Sequence, residues 1–221
     1  MINIYQTKAM KKYLDDDEHD RNPNYDQHNI KTRKHVVICG KTGSGKTNFL
    51  VNLLNKMTDT FAEVHIFTAM IDEPIYKMLS EMSDKIHVDL ISNVVPYNKL
   101  PDQVNNKLIV FDDFISQPKP VLKVLETYST QSRKIGCSCL YLVQNYFSLP
   151  LVIRNQASYI VMLKNSDIQN LRMIASRMGT NLTAEQISSI IGDATKEQFD
   201  VCIIDLLNST IRKNFLDYYN V

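Results

Sequence analysis

The sequence predicts a three-layer α/β fold built on a mostly parallel central sheet, with a C-terminal β-hairpin. Three observations predict it. Short apolar runs such as Val36-Val37-Ile38 and Leu108-Ile109-Val110-Phe111 alternate with amphipathic helical stripes, the pattern of strand–helix–strand units with right-handed crossovers. A glycine-rich segment, Gly40-Lys41-Thr42-Gly43-Ser44-Gly45-Lys46-Thr47, joins the first strand to the first helix. Near the end, Phe199 to Ile204 and Ile211 to Leu216 flank a turn at Asn208-Ser209 as a hairpin does.

The elements follow in order. Residues 1–33 are polar, without sustained periodicity, and read as an arm; residues 34–221 read as one domain. Within the arm, residues 8–13 suggest a short helix, and the acidic run Asp15-Asp16-Asp17-Glu18-His19-Asp20 reads as solvated rather than as a metal site with His19 and His28. The first strand spans 35–39 and the first helix about 46–57, with Phe49, Leu50, Leu53, Leu54 and Met57 on its inner face. A second strand covers 64–67. Asp72 is expected to cap a helix with Pro74 in its first turn and Ile75, Met78, Leu79 and Met82 inward. A short strand follows at 86–91, then a buried parallel strand at 107–113. A helix near 121–132 ends at Ser132-Arg133-Lys134-Ile135-Gly136, with cations at its C-terminus and a glycine stop. Strands at 139–143 and 158–163, helices at 166–178 and 183–191, and the hairpin complete the chain.

Composition bounds the function. Net charge is +1 at pH 7, so no global field draws the chain to nucleic acid or to a membrane surface. No apolar run approaches a membrane span, and the N-terminus lacks a signal-peptide pattern. The four cysteines, Cys39, Cys137, Cys139 and Cys202, lie in or beside apolar strand-like runs with no Cys-x-x-Cys spacing. They read as buried thiols of a soluble protein in a reducing compartment.

The glycine-rich segment matches the phosphate-binding loop, Gly-x-x-x-x-Gly-Lys-Ser/Thr, in strand–loop–helix context. The chain has only six glycines, and three of them, Gly40, Gly43 and Gly45, stand here, where the backbone must approach a ligand or take positive φ. Amides of residues 40–48, through Asn48, are expected to cradle phosphates at a helix N-terminus. Lys46 places a charge on the β- and γ-phosphates, and the Thr47 hydroxyl can reach Mg²⁺. Two carboxylates ending a buried strand need a role or a partner. Asp112 is the candidate Mg²⁺ holder, and Asp113, pointing the other way, the base that orients water. Gln144 ends the next strand. If that strand lies between the loop strand and the Asp112 strand, its amide sits beside the γ-phosphate as a sensor. Arg133 and Arg154 are candidate arginine fingers. Were the chain to hold a nucleic-acid backbone, Lys85, Lys99, Lys107, Lys119 and Lys123 are scattered candidates for its phosphates, though most exposed lysines are merely solvated.

Taken together, the loop, Leu108 to Phe114, Ser132 to Gly136, and Leu142 to Pro150 with Ile153-Arg154-Asn155 resemble the FtsK–HerA superfamily of ring-forming P-loop ATPases. Within it the chain is similar to the genome-packaging ATPases of large DNA viruses and virophages, including the poxvirus packaging ATPase. The resemblance covers roughly residues 34–216. It implies a RecA/FtsK–HerA-like sheet, ATP and Mg²⁺, and a homo-oligomeric ring of five or six subunits. It also implies double-stranded DNA moved into a capsid past a portal-like component, in the host cytoplasm's viral factory or the virion. It makes Arg133 a finger acting on the neighbouring subunit and Gln144 the sensor. Many superfamily members carry Glu where Asp113 stands; Asp is one methylene shorter, which leaves room for another carboxylate as the base. Another P-loop ATPase or a kinase, and an ATP-dependent assembly protein without DNA pumping, are the competing readings. No arginine-rich lid of a kinase and no Asn-Lys-x-Asp guanine-reading motif is found in the sequence.

Overall fold

The structure, a computed structural model, describes residues 21–100, 106–164 and 171–220, apart from the side chain of Arg133. The strands are β1 (His35–Cys39), β2 (Glu63–Thr68), β3 (Ile86–Leu90), β4 (Lys107–Asp112), β5 (Cys137–Val143), β6 (Tyr159–Leu163), β7 (Val201–Asp205), β8 (Thr210–Lys213) and β9 (Asp217–Tyr218). They form one sheet in the order β3-β2-β4-β5-β1-β6-β7-β8-β9. From β3 to β6 all pairs are parallel; β6–β7, β7–β8 and β8–β9 are antiparallel. The mostly parallel sheet and the C-terminal hairpin are thus present, with β9 as a short strand added to the hairpin.

The helices are α1 (Lys46–Lys56), α2 (Pro74–Met82), α3 (Lys119–Gln131), α4 (Leu151–Gln156), α5 (Leu171–Met178) and α6 (Ala184–Ala194). Alternate residues of the central strands feed two cores. Val36, Ile38, Val110, Leu140 and Leu142 pack with Leu50 and Leu53 of α1 and Leu79 of α2. Val37, Ile109, Phe111, Tyr141 and Met162 pack with Leu125 and Tyr128 of α3 and with α5 and α6 on the other face. Strands covered on both faces need no polar alternation, which is why β4 and β5 read as unbroken apolar runs. Pro118 precedes α3 and Pro120 stands in its first turn, where a missing N–H costs nothing. Thr183 and Gln186 cap α6 reciprocally, at 3.2 and 2.8 Å. All four cysteines are buried thiols outside any disulfide, and burial raises their pKa values.

Two expectations need correction. Asp72 does not cap α2. Glu73 is the N-cap residue, without a side-chain hydrogen bond, while Asp72 pairs with exposed Lys77 at 3.1 Å. The inner face of α2 is Tyr76 and Leu79, with Ile75 half-buried and Met78 and Met82 exposed. The rotation follows from Tyr76, whose hydroxyl reaches Asp112 across the sheet's end. From Asn22 the chain packs on the domain: Ile30 is buried, Lys31 N–H donates to the Tyr159 hydroxyl at 3.1 Å, and buried Arg212 donates to the His28 and Asn29 carbonyls at 3.2 and 3.3 Å. His28 Nδ1 accepts from Ile30 N–H at 3.0 Å. His19, the acidic run and the 8–13 helix lie outside the described residues.

Candidate active site

The loop's shape follows from its glycines. Gly43 and Gly45 take φ of 77° and 104°. A Cβ on Gly40 would lie 2.2 Å from Ser44 Oγ, so only glycine permits that approach. The turn closes through Ser44 N–H on the Lys41 carbonyl at 3.1 Å, and α1 begins with Phe49 N–H on Gly45 at 2.9 Å. Ser44 Oγ is buried with no partner. Lys46 folds back across the loop, donating from Nζ to the Gly40 and Lys41 carbonyls at 2.9 and 3.3 Å. An orphaned hydroxyl, a tight glycine cradle, a helix N-terminus and one ammonium together fit a chain of phosphates.

Strand order brings the carboxylates to this loop. β5 lies between β1 and β4, so the condition set for Gln144 is met. Asp112 pairs in register with Leu142, and Cys39 with Val143. Gly40 N–H donates to the Val143 carbonyl at 3.1 Å, which sets Gln144 beside the start of the loop. A cavity of about 690 Å³ results, lined by Lys46, Thr47, Asp112, Asp113 and Gln144 among others. Gly43, Gly45, Thr42 and Asn48 also line it. Lys41 is exposed on the loop's rim.

Asp112 accepts a 2.5 Å hydrogen bond from the Tyr76 hydroxyl. Burial pushes its carboxyl pKa up; the Tyr76 hydroxyl and the Lys46 charge pull it back, and Asp113 and Glu73 push it further up. Tyr76, itself fully buried, has its pKa raised by burial and by Asp112, so it stays protonated and donates. A half-buried carboxylate beside the Thr47 hydroxyl offers the oxygen donors that Mg²⁺ prefers, and such a cation would offset the desolvation of Asp112. Asp113 is exposed and left-handed, with φ 49°, so the chain turns sharply just after Asp112, and both carboxylates line the cavity. After Gln144, Asn145 caps a tight turn by accepting from Phe147 N–H at 2.7 Å.

Two predicted residues are not in the cavity. Arg154 lies on α4 with its guanidinium over the Phe147 ring, 5.6 Å from the centroid. Its carbonyl, with those of Asn155 and Ala157, is held by Arg177 at 2.6, 3.3 and 2.8 Å, a cationic cap on the end of α4. Arg133 sits in the turn Ser132–Ile135, just before β5. Because β5 runs parallel to β1, that turn lies at the opposite end of the sheet from the loop, about 20 Å away for a seven-residue strand. Arg133 and its own chain's loop do not share a site.

Sequence reading missed Tyr76, Glu73 and Ser148. Glu73 and Ser148 line the cavity from α2's start and from the turn after Gln144. Only the 2.5 Å contact marks Tyr76, since a tyrosine one position off an apolar stripe looks like any other. Lys107, a candidate DNA contact, is buried and pairs with Glu63 at 2.8 Å. Glu63 also meets His65 at 3.0 Å through the same oxygen, an ion-pair network far from the loop.

A phosphate loop after β1, two carboxylates at the end of β4 and a glutamine at the end of β5 between them define a P-loop ATPase. The chain matches the family described as Poxvirus A32 protein over residues 23–214 and belongs to that family of viral DNA-packaging ATPases. Among solved structures, it is similar to the genome packaging NTPase B204 of Sulfolobus turreted icosahedral virus 2. Its complex with sulfate superposes with a TM-score of 0.55 at 16% identity over 82% of this chain and 95% of that one. Its complex with ATP-gammaS gives 0.54 at 18% over 82% and 96%. The pCW3 conjugation coupling protein TcpA, with ATPgS, gives 0.55 at 13% over 86% and 60%. These likenesses show the shared fold. A search of curated protein sequences found no match. Among the described residues, no helix is long and apolar enough to cross a membrane.

Proposed function

We propose that this chain couples Mg²⁺-dependent ATP hydrolysis to movement of double-stranded DNA into a viral capsid, as a ring of identical subunits. The observation that carries this reading is the meeting of Lys46, Thr47, Asp112, Asp113 and Gln144 in one cavity of a chain of this family. The loop amides and Lys46 bind and neutralise the phosphates. Asp112 and Thr47 would hold Mg²⁺, which when bound supplies charge compensation to the phosphates. Asp113 takes the proton of the attacking water and orients it. Glu73, a third carboxylate lining that cavity, is the other candidate for the base. Gln144 senses the terminal phosphate and passes its state to the turn that carries Phe147, on which Arg154 lies.

Arg133 supports a composite site. Its turn lies at the far end of the sheet from its own loop, so as a finger it would serve a neighbour's. A head-to-tail ring places different surfaces of adjacent subunits in contact, as such a finger requires. We place the assembly in the viral factory or the virion, with a capsid or portal-like component as partner. The test is steady-state ATP hydrolysis with Mg²⁺, with and without duplex DNA. The expected result is hydrolysis stimulated by DNA, weakened by added salt as phosphate contacts are screened, and lost in Lys46→Ala. Hydrolysis that is absent, or that survives Lys46→Ala, overturns the proposal.

A further inference from the structure

We propose that Phe199 is the stacking platform for the purine base of the bound nucleotide, an inference that rests on the ATP reading above. Three observations point to it. Phe199 is 51% exposed although it is one of the largest apolar side chains in the protein. It holds φ of 70°, a conformation that a bulky residue adopts only where its surroundings impose it. Its ring lies against the phosphate loop: a Cβ on Gly45 would meet ring carbons at 2.8 and 3.4 Å.

The location fits the ligand. Phosphates form a linear chain, and their terminal end belongs with Asp112, Asp113 and Gln144, on the β4–β5 side of the loop. The nucleoside end therefore points across the loop toward β6 and β7. Phe199 stands there, two residues before Val201, which pairs with Leu163 at the end of β6. The segment is fixed at both ends. Lys164 Nζ donates to the Lys196 carbonyl at 2.7 Å, and Asp200 pairs with Lys213 at 2.8 Å and with Asn214 at 3.0 Å. One ring edge rests on Gly45 and the remainder faces solvent, a held aromatic surface beside the place where a base must emerge. A planar base stacks on such a ring whatever its hydrogen-bonding edge, so the site takes purines without reading their identity.

The chain contains no tryptophan, so Phe199→Trp introduces a single reporter at the platform. ATP and ADP are expected to shift its emission, whereas tripolyphosphate, which fills the loop but carries no base, leaves it unchanged. In equilibrium dialysis, Phe199→Ala is expected to weaken ATP about tenfold while tripolyphosphate affinity holds, and Phe199→Tyr to restore ATP binding. Circular dichroism confirms that each variant is folded. If Phe199→Ala does not fold, the tryptophan emission decides alone. If the wild type binds ATP, equal ATP affinity in Phe199→Ala, or equal emission changes with ATP and tripolyphosphate, overturns the platform. A wild-type chain that binds no ATP overturns the nucleotide reading itself, and the platform with it.

Discussion

Tyr76→Phe isolates one hydroxyl. The ring stays, so the fully buried slot it fills on α2 opens no cavity. What is lost is the 2.5 Å hydrogen bond to Asp112, a bond to a charged acceptor. Such bonds contribute about 1.5–3 kcal/mol. Outer partners of metal-holding side chains typically change metal affinity by about 10- to 100-fold. The two ranges agree, since about 1.4 kcal/mol is tenfold. Without the hydroxyl, Asp112 also loses the largest influence that lowers its pKa against burial, so its carboxylate form is less favoured. The assay is Mn²⁺ binding in the presence of ADP, followed by electron paramagnetic resonance, beside a Mg²⁺ titration of hydrolysis. The half-saturating metal concentration is expected to rise at least about tenfold, with the rate largely recovered at high Mg²⁺. An unchanged metal midpoint in a folded Tyr76→Phe protein refutes the view that Tyr76 presets Asp112 for the cation.

Other outcomes follow from the same geometry. Asp113→Asn keeps the shape of the side chain but cannot take a proton; it should lower kcat by about 10²–10⁴ with ATP affinity retained, measured by steady-state kinetics and dialysis. Mixing Lys46→Ala with Arg133→Ala protein should recover part of the hydrolysis that each lacks alone, because some interfaces then pair an intact loop with an intact arginine. Recovery by neither mixing nor co-expression contradicts a finger acting between subunits. Stability should fall as pH drops from about 6.5 to about 4. Burial lowers the pKa of both His28 and His35 to about 4, so the unfolded chain binds protons that the folded one refuses in this window. Each histidine contributes at most about 1.4 kcal/mol per pH unit, visible as a falling thermal midpoint, and the contribution is fully present above the unfolded pKa.

Much of the fold was legible because its signals are periodic or conformational. Double-sided burial made β4 and β5 continuous apolar runs, and glycines marked the loop where the backbone bends tightly or takes positive φ. The site's core was legible for the same reason: Lys46, Thr47, Asp112, Asp113 and Gln144 each stand at a strand end or helix start, and parallel pairing brings such ends together. What escaped the sequence depends on rotation and packing. The face of α2 turns so that Tyr76 points inward, and a nine-residue helix with Ile75, Tyr76, Met78, Leu79 and Met82 all available as apolar candidates does not reveal which stripe is buried. The packing of 22–33 rests on a buried arginine of the distant hairpin, Arg212, a long-range contact that no local pattern encodes. Arg133 was legible as a cation at a helix end, but its distance from its own loop required the strand directions.

The central claim is that hydrolysis at this cavity moves duplex DNA. The most direct measurement is displacement of a third strand from a DNA triplex by the assembled protein with ATP and Mg²⁺. The account predicts displacement that requires ATP hydrolysis and duplex flanking the triplex, and that disappears in Lys46→Ala. Hydrolysis that proceeds at full rate while the triplex stays intact contradicts it.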